Sequence, residues 1–207
     1  MKIIAVAQNY LAHSKEMNSP LGSEERPPVL FIKPESALLK DGKPFFYPDF
    51  SNNIHYETEI VVKICRLGKN IAKRFAHRYY EECTLGIDFT ARDLQAELKK
   101  IGMPWEISKS FDNSAAIGAF VSKDSLLAER NSLDFSLTIN ATKVQEGNSS
   151  DMIHSIDDII EYASRFFTLK IGDLIFTGTP VGVGPVKIGD RLEGYLNDRK
   201  LLDFYVR

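Results

Sequence analysis

The sequence is short of cysteine. Its 207 residues include two cysteines, Cys65 and Cys83, and no CxxC pair. This usage argues against a zinc cluster or a disulfide scaffold, and it fits a reducing compartment. We expect both cysteines to be small, buried apolar residues.

Excess positive charge and long apolar runs are also missing. Lys and Arg number 26 against 28 Asp and Glu, and the formal net charge is -2, which gives no electrostatic case for nucleic-acid binding. The apolar run Ile3–Ala7 stops at Gln8, so it is too short for a signal peptide or a membrane span. We therefore expect a soluble, cytoplasmic protein with neither a membrane nor a nucleic-acid partner.

Nucleotide-binding motifs are absent as well. No GxGxxG or Walker sequence follows an apolar run, and alternating βαβ units are missing, which disfavours a doubly wound sheet. Short strand-like runs dominate instead, so the chain is predicted to be α+β and predominantly β. The predicted strands cover residues 3–7, 29–33, 57–65, 117–121, 133–140, 174–177, 191–196 and 201–206.

Helix signals are few. Thr90 is predicted to cap a helix over 91–101, with Asp93 completing a capping box and Gly102 following its end. A second helix is predicted to begin near Ser155, with Asp158 three residues later. A shorter helix is predicted over Tyr10–Met17.

Two glutamates, Glu57 and Glu59, lie two positions apart at the start of a strand that continues into the apolar run 60–62. Side chains at i and i+2 of a strand share a face, so the two carboxylates should project side by side. Oxygen ligands suit a hard divalent cation such as Mg²⁺ or Mn²⁺. The alternatives are that one glutamate faces solvent or that an arginine pairs with both.

Asp88 is the candidate for a third carboxylate ligand because it stands where a strand ends and a helix begins. Alone it could equally be a solvated turn residue. Arg92 and Gln95 lie one and two turns further on and could hold a ligand, although Arg92 could simply pair with Asp88 or Asp93.

Other candidates for chemistry are scattered along the chain. His13 and Glu16 share a helix face at i, i+3, which suits a general base that activates water but also occurs by chance on exposed helices. Lys109 lies between aromatic residues and could be a sheltered cation or a surface lysine. His55 has the same strand parity as the glutamates and could hydrogen-bond to a metal-binding carboxylate without contacting the metal itself.

A glycine- and proline-rich loop covers residues 177–185, directly after a predicted strand. Its backbone N–H groups could approach an anion closely, or the segment could be only a rigid turn. The polar segment 145–153 is predicted to supply caps and turns before the second helix.

Together these segments resemble the fumarylacetoacetate hydrolase family, in particular its short acylpyruvate hydrolase and oxaloacetate decarboxylase type. The resemblance covers essentially the whole chain, which implies a single catalytic domain over 1–207. The matching stretches are Asn9-Tyr10 with His13 and Glu16, 31–34, 55–59, 86–95, 104–109, 149–153 and 177–184. The chain departs from relatives at Ala7-Gln8, where a glycine and a basic residue are common, and this puts substrate choice in doubt.

The resemblance implies a rolled, mixed β-sandwich with a few short helices, usually a homodimer, that uses Mg²⁺ or Mn²⁺. It implies metal ligation by Glu57, Glu59 and Asp88 and water activation by His13 and Glu16. It also implies a functional cation at Lys109. Substrate contacts are implied for Arg92 and Gln95, and a contact with the substrate's carboxylate is implied for Thr179.

The implied activity is metal-dependent cleavage of the C–C bond of acylpyruvates, with oxaloacetate decarboxylation as a further reaction of the same site on a 2-oxo acid substrate. Two alternatives stay open. One is an isomerase or decarboxylase of dioic 2-oxo acids from aromatic catabolism, such as the 2-hydroxyhepta-2,4-diene-1,7-dioate isomerase type. The other is a non-catalytic metal-binding β module.

Overall fold

The computed structural model describes residues 1–16, 25–128 and 130–207. The strands in these ranges are β1 (Ile3–Ala7), β2 (Val29–Lys33), β3 (Leu38–Leu39), β4 (Ile54–Tyr56), β5 (Thr58–Ile64), β6 (Tyr80–Asp88), β7 (Thr90–Ala91), β8 (Ala115–Ile117), β9 (Val121–Ser122), β10 (Asp134–Ile139), β11 (Thr142–Asn148), β12 (Leu174–Phe176), β13 (Gly184–Pro185), β14 (Arg191–Leu196) and β15 (Arg199–Tyr205). The helices are α1 (Leu11–Glu16), α2 (Lys73–Ala76), α3 (Arg92–Lys100), α4 (Glu106–Lys109), α5 (Lys123–Leu127) and α6 (Ile156–Phe166).

The described strands form three sheets. The largest has the order β2-β1-β12-β5-β6-β8-β3, with β9 paired to β6. A second sheet has the order β11-β10-β14-β15, and a small third sheet has the order β13-β4-β7. Within the large sheet β1 runs parallel to β12 and β3 runs parallel to β8, so the sheet is mixed.

The large sheet is covered on both faces, which explains the unbroken apolar run of β5. Ile60 and Val62 pack into an apolar cluster that includes Ile159 and Ile160 of α6. Val61 points the other way and packs with Phe176 in a second cluster. A strand with both faces buried needs apolar residues at consecutive positions rather than in alternation.

Most predicted elements are confirmed, with shifted ends. β1 and β2 match their predicted bounds, and α6 begins at the predicted capping box of Ser155 and Asp158. The predicted strand 117–121 is wrong, because the chain pairs only over β8 and β9 on either side of 118–120. The sequence predicts only the end of β6, at Asp88, and the second half of β11 falls in the segment 145–153 that is predicted to supply caps and turns.

The predicted cap of α3 is also wrong. Ala91 stands at its N-cap without a side-chain bond, because Thr90 belongs to β7 and its hydroxyl donates to Glu57 Oε1 at 3.2 Å. Asp93 instead accepts from Ser51 and Asn52. The short first helix is present as α1, while Met17, its predicted last residue, lies outside the described residues.

None of the helices in the described ranges combines the length and the hydropathy needed to cross a membrane.

Candidate active site

Strand register brings Asp88 to the two glutamates. β5 and β6 are antiparallel neighbours in which Thr58 lies opposite Ile87 and Glu59 opposite Gly86. The Asp88 backbone N–H donates to the Glu57 carbonyl at 2.8 Å. As a result, ligand atoms of Glu57, Glu59 and Asp88 all lie within 4.8 Å of one another, and all three residues are buried. Carboxylates from two distant segments thus converge, and strand register brings in the third of them.

Three cations surround this carboxylate cluster. Lys109 Nζ lies 2.7 Å from Glu57 Oε2 and 2.6 Å from Asp88 Oδ2. Lys33 Nζ lies 2.6 Å from Asp88 Oδ1, and Arg92 Nη2 lies 2.5 Å from Glu57 Oε1. Burial by itself would raise the pKa of Glu57, but the charges of Lys109 and Arg92 hold it below its ordinary value.

Glu59 differs from its two neighbours because it pairs with no cation among the described residues. Its Oε2 accepts the backbone N–H of Gly178 at 2.7 Å. Burial, followed by repulsion from Asp88 and Glu57, raises its pKa well above the ordinary value. Gly178 can approach closely because its φ is +96° and a Cβ there would lie 2.6 Å from that of Asn9. The predicted anion-facing N–H of the glycine-rich loop is therefore directed at a carboxylate of the protein.

The donor set fits a hard divalent cation. It consists only of carboxylate oxygens, which Mg²⁺ and Mn²⁺ prefer. Asp88 Oδ1 lies 2.6 Å from Lys33 Nζ, and Asp88 Oδ2 lies 2.6 Å from Lys109 Nζ, so both oxygens of Asp88 face a cation. Of the three carboxylates, Glu59 alone has no cationic partner among the described residues, so a bound divalent ion would supply the positive charge that Glu59 lacks.

The short helix α1 presents His13 and Glu16 to the same region. His13 Nδ1 lies 2.9 Å from Glu16 Oε2, so the predicted pair is formed. Glu16 Oε1 in turn accepts the Gly182 N–H at 3.1 Å, which ties α1 to the glycine-rich loop. Since Nδ1 faces the glutamate, Nε2 is the imidazole nitrogen left for a substrate or a water molecule.

A cavity of about 70 Å³ opens beside the carboxylate cluster and contains most of the candidate residues. It is lined by Val6, Ala7, Gln8, His13, Phe31, Glu57, Arg92, Gln95, Lys99, Trp105 and Lys109. Arg92 Nη1 donates to Gln95 Oε1 at 2.8 Å, so the side chains of these two predicted substrate contacts hold each other in position. None of the predicted site residues lines the larger groove of about 510 Å³ near β3 and β15.

Thr179 is not among the residues that line this cavity. It follows Gly178, and its Oγ1 accepts from Gln145 Nε2 at 2.8 Å. Gln145 also accepts from the Thr58 backbone N–H at 3.0 Å, between the two glutamates. The loop and the start of β5 are therefore joined through one buried amide.

Comparison with known proteins places the chain in a family. The profile of the fumarylacetoacetate (FAA) hydrolase C-terminal family matches residues 2–205. The chain belongs to the fumarylacetoacetate hydrolase family. Its rolled, mixed sheets agree with that family fold, so the predicted fold class is confirmed.

Several relatives of this family have names that describe an activity. The chain is 42% identical over 205 residues to mouse oxaloacetate tautomerase FAHD1, mitochondrial, covering 99% of this chain and 91% of the relative. It is 39% identical over 191 residues to oxaloacetate tautomerase YcgM of Escherichia coli K12, covering 92% of this chain and 86% of the relative.

Solved structures of family members superpose closely. The fumarylpyruvate hydrolase of Pseudomonas aeruginosa in complex with Mn²⁺ and pyruvate matches with a TM-score of 0.91 and 35% identity, covering 100% of this chain and 89% of that one. The 5-carboxymethyl-2-hydroxymuconate delta-isomerase of Mycobacterium smegmatis matches with a TM-score of 0.85 and 31% identity, covering 99% and 78% respectively.

Sequence reasoning missed some residues of the site. Lys33 is fully buried against Asp88, and the available signal was a lysine closing the apolar strand β2. Lys99 and Trp105 line the cavity, and no sequence pattern distinguished them from surface and core residues. Gln145 carried no signal at all, because its three partners are distant in sequence.

His55 forms no hydrogen bond with the three carboxylates, which differs from the role that its strand parity suggested. Its Nε2 lies 3.0 Å from Asn53 Oδ1. Burial and the nearby charge of Arg92 lower the pKa of His55 to about 4. His55 belongs to β4, which pairs with β13 and β7 in the small third sheet, whereas Glu59 belongs to β5 of the large sheet.

Proposed function

We propose that this fumarylacetoacetate hydrolase family member is a divalent-metal-dependent enzyme that acts on 2-oxo acids through their enols, with keto–enol tautomerisation of oxaloacetate as its reaction. The observation that carries the proposal is the convergence of three buried carboxylates beside a cavity that His13 also lines. The names of two relatives support this choice of reaction.

In this proposal Glu57, Glu59 and Asp88 hold Mg²⁺ or Mn²⁺, and the manganese in a structurally similar relative supports the choice of ion. When bound, the ion would supply Lewis-acid polarisation of the keto oxygen. Lys109 and Arg92 already contact Glu57, so they fix the direction of its carboxylate and add positive charge where an enolate oxygen forms.

His13 is the proposed proton carrier. In the enol-to-keto direction a proton leaves the oxygen on C2, and a proton is added at C3. One imidazole can serve both positions because they belong to neighbouring atoms, and Glu16 holds the ring through Nδ1. General acid–base assistance of this kind typically contributes about 10²–10⁴ in rate.

The charges around the cavity favour a dianion. Three carboxylates and three cations formally cancel in the cluster, so a divalent ion would leave two positive charges to balance. Lys99 also lines the cavity and makes no ion pair with residues 1–16, 25–128 or 130–207. Burial, and then repulsion from Arg92 and Lys109, lowers the pKa of Lys99. An anionic group beside Lys99 would therefore stabilise its charged form. The second carboxylate of oxaloacetate provides that group.

Hydrolysis of acylpyruvates is the second candidate, and the His13–Glu16 pair is the observation that favours it. The pair would take a proton from water, and the water oxygen would bond to the distal carbonyl carbon. The bond from that carbon to C3 would then break, with its electron pair passing to the pyruvate enolate and a carboxylic acid leaving. The fumarylpyruvate hydrolase of similar structure supports this candidate.

We further propose that residues 1–207 form a single catalytic domain, that the protein assembles as a homodimer, and that it works in the cytoplasm without a nucleic-acid partner. The match over 2–205 supports the first point. The free thiols of Cys65 and Cys83 are consistent with a reducing compartment.

The test is a substrate panel with and without metal. Chelator-treated protein is reloaded with Mn²⁺ or Mg²⁺ and given enol-oxaloacetate, acetylpyruvate and a hydroxymuconate-type diacid, while enol decay, pyruvate release and diene isomerisation are followed. We expect metal-dependent enol decay to be fastest. Faster acetate and pyruvate release from acetylpyruvate would favour the hydrolase, and faster diene isomerisation would favour the dioic acid isomerase. No turnover with either metal would leave a non-catalytic metal-binding module.

A further inference from the structure

Gln145 links the glycine-rich loop to the strand that bears the two glutamates. It lies on β11 and is only 3% exposed. Its Oε1 accepts the Thr58 backbone N–H at 3.0 Å. Its Nε2 donates to Thr179 Oγ1 at 2.8 Å and to the Pro180 carbonyl at 2.9 Å. All the hydrogen-bonding atoms of this amide therefore face groups around the site.

The orientation of the amide is determined twice. A backbone N–H such as that of Thr58 can only donate, so it must meet the amide oxygen. A backbone carbonyl such as that of Pro180 can only accept, so it must meet the amide nitrogen. Rotating the Gln145 amide by half a turn would break both hydrogen bonds at once. The two backbone partners therefore assign the amide oxygen and nitrogen, although the hydrogen atoms themselves are not observed.

This orientation fixes the polarity of the Thr179 hydroxyl. Because Gln145 presents an N–H to it, Thr179 Oγ1 must act as acceptor in that bond. The hydroxyl proton of Thr179 is then left over, and no acceptor for it lies within the part of the chain that the structure describes. Thr179 is 2% exposed and follows Gly178, whose N–H binds Glu59. A buried donor without a partner beside the carboxylate cluster is suited to an anionic ligand.

The family resemblance already implies a contact between Thr179 and the substrate's carboxylate. We propose that Gln145 is the positioning residue for that contact, because its amide directs the Thr179 hydroxyl to donate to the bound 2-oxo acid. This rests on the proposed function, since it requires such an acid at the carboxylate cluster. Gln145 is not among the residues that line the cavity, so its proposed effect reaches the ligand only through Thr179. Its effect should fall on ligand binding, because the hydrogen bond it prepares is made to a carboxylate that the reaction leaves unchanged.

The test is a double-mutant cycle with Mn²⁺-loaded protein, using oxalate as the binding probe and oxaloacetate as the substrate. Gln145→Met and Thr179→Val should each weaken oxalate and raise KM about 10- to 100-fold, the range expected for a lost hydrogen bond to a charged group. The value of kcat should change much less. In the Thr179→Val background Gln145→Met should have no further effect on either constant, and Thr179→Ser should retain most of the wild-type affinity.

A purely structural role predicts a different pattern. Gln145→Met would then weaken oxalate binding by the same factor in wild type and in Thr179→Val. If the loss of affinity in the double mutant equals the product of the two single losses, the proposal is overturned. If Gln145→Met does not fold, Gln145→Glu replaces it, because it still accepts from Thr58 but cannot present an N–H to Thr179. Its added charge acts in both backgrounds, so only the part lost in Thr179→Val reports on orientation. Wild-type protein that neither binds oxalate nor converts any 2-oxo acid would instead refute the proposed function.

Discussion

Two ion-pair clusters in this molecule have similar N···O distances, but one is buried and the other is exposed to solvent. Lys109 and Asp88 lie 2.6 Å apart with side chains 5% and 1% exposed. Arg191 and Asp203, on β14 and β15, lie 2.8 Å apart with side chains 40% and 34% exposed. Distance alone therefore says little about what an ion pair does.

The difference in burial separates their roles. Exposed pairs gain little because water screens both charges. Burying charges is costly unless they are paired in good geometry, and such groups cluster at functional sites. The surface network of Arg191, Glu193, Lys200 and Asp203 is an ordinary solvated face. The buried carboxylate cluster carries a cost that ligand binding would explain.

The buried cluster is itself uneven. Glu57 contacts two cations, whereas Glu59 contacts a backbone N–H and no cation among the described residues. Two glutamates only two positions apart thus have opposite electrostatic surroundings. In protein without metal, Glu57 should stabilise the fold and Glu59 should destabilise it.

The largest effect is expected for Glu59→Gln. Loss of a ligand should reduce metal-dependent turnover to background, since Mn²⁺ no longer binds. The metal-free variant should nevertheless be more stable than wild type, on the order of 1–3 kcal/mol, because the wild-type carboxyl must on folding either take up a proton or be buried as an unpaired charge. The new amide oxygen still accepts from Gly178. Manganese titration and denaturant unfolding of chelator-treated protein measure both effects.

Glu57→Gln is the matched control for that experiment. It should lower the stability of metal-free protein, because Arg92 and Lys109 lose their shared partner. If Glu59→Gln and Glu57→Gln both destabilise by the same amount, the contrast between the two glutamates is refuted.

His13→Ala tests an ion pair of intermediate burial, since His13 is buried and Glu16 is partly exposed. Turnover should fall about 10²–10⁴-fold, the usual contribution of a general acid or base. Manganese affinity should hardly change, because His13 contacts none of the three carboxylates. Steady-state rates and metal titration of the same preparation make the comparison. A comparable loss of metal affinity would contradict the assigned role.

Lys33→Met tests the stability of a buried pair directly. Asp88 would lose one cation, and the carbonyls of Lys109 and Ser114 would lose a donor. The expected loss is about 3–5 kcal/mol in the free energy of unfolding. Lys63→Met, which breaks the exposed pair with Glu82, is the control and should cost less than about 1 kcal/mol. Equal losses in urea unfolding would show that burial does not separate these pairs.

Asp203→Asn should give the smallest effect, and a pH-dependent one. Hydrogen bonding from Arg191 lowers the pKa of Asp203 from 3.8 to about 2. Because the folded state holds this carboxyl ionised, the wild-type advantage is complete above pH 4 and disappears as the pH falls through 2. The difference in Tm should be a few degrees at most and should shrink in 1 M salt, since the group is largely exposed. A pH-independent difference would exclude the ion pair as its cause.

Local patterns predicted the parts of the site that depend on neighbouring positions. The shared face of Glu57 and Glu59 follows from strand parity, and the contact between His13 and Glu16 follows from helix spacing. The capping box at Ser155 is equally local, since donor and acceptor are three residues apart. Thr90 shows the limit of such reasoning. Its position suits a cap of α3, but its hydroxyl instead donates to the buried carboxylate of Glu57, which is distant in sequence.

The sequence by itself determined that two glutamates, two positions apart, direct their carboxylates to the same region and that a histidine–glutamate pair stands near the N-terminus. Only the tertiary structure decided which groups surround each carboxylate. Gly178, 119 positions away, binds Glu59, and Lys109, 52 positions away, binds Glu57. Backbone geometry fixes relations at i+2 or i+3 in every strand or helix, whereas distant partners depend on sheet register and loop packing, which no local pattern encodes.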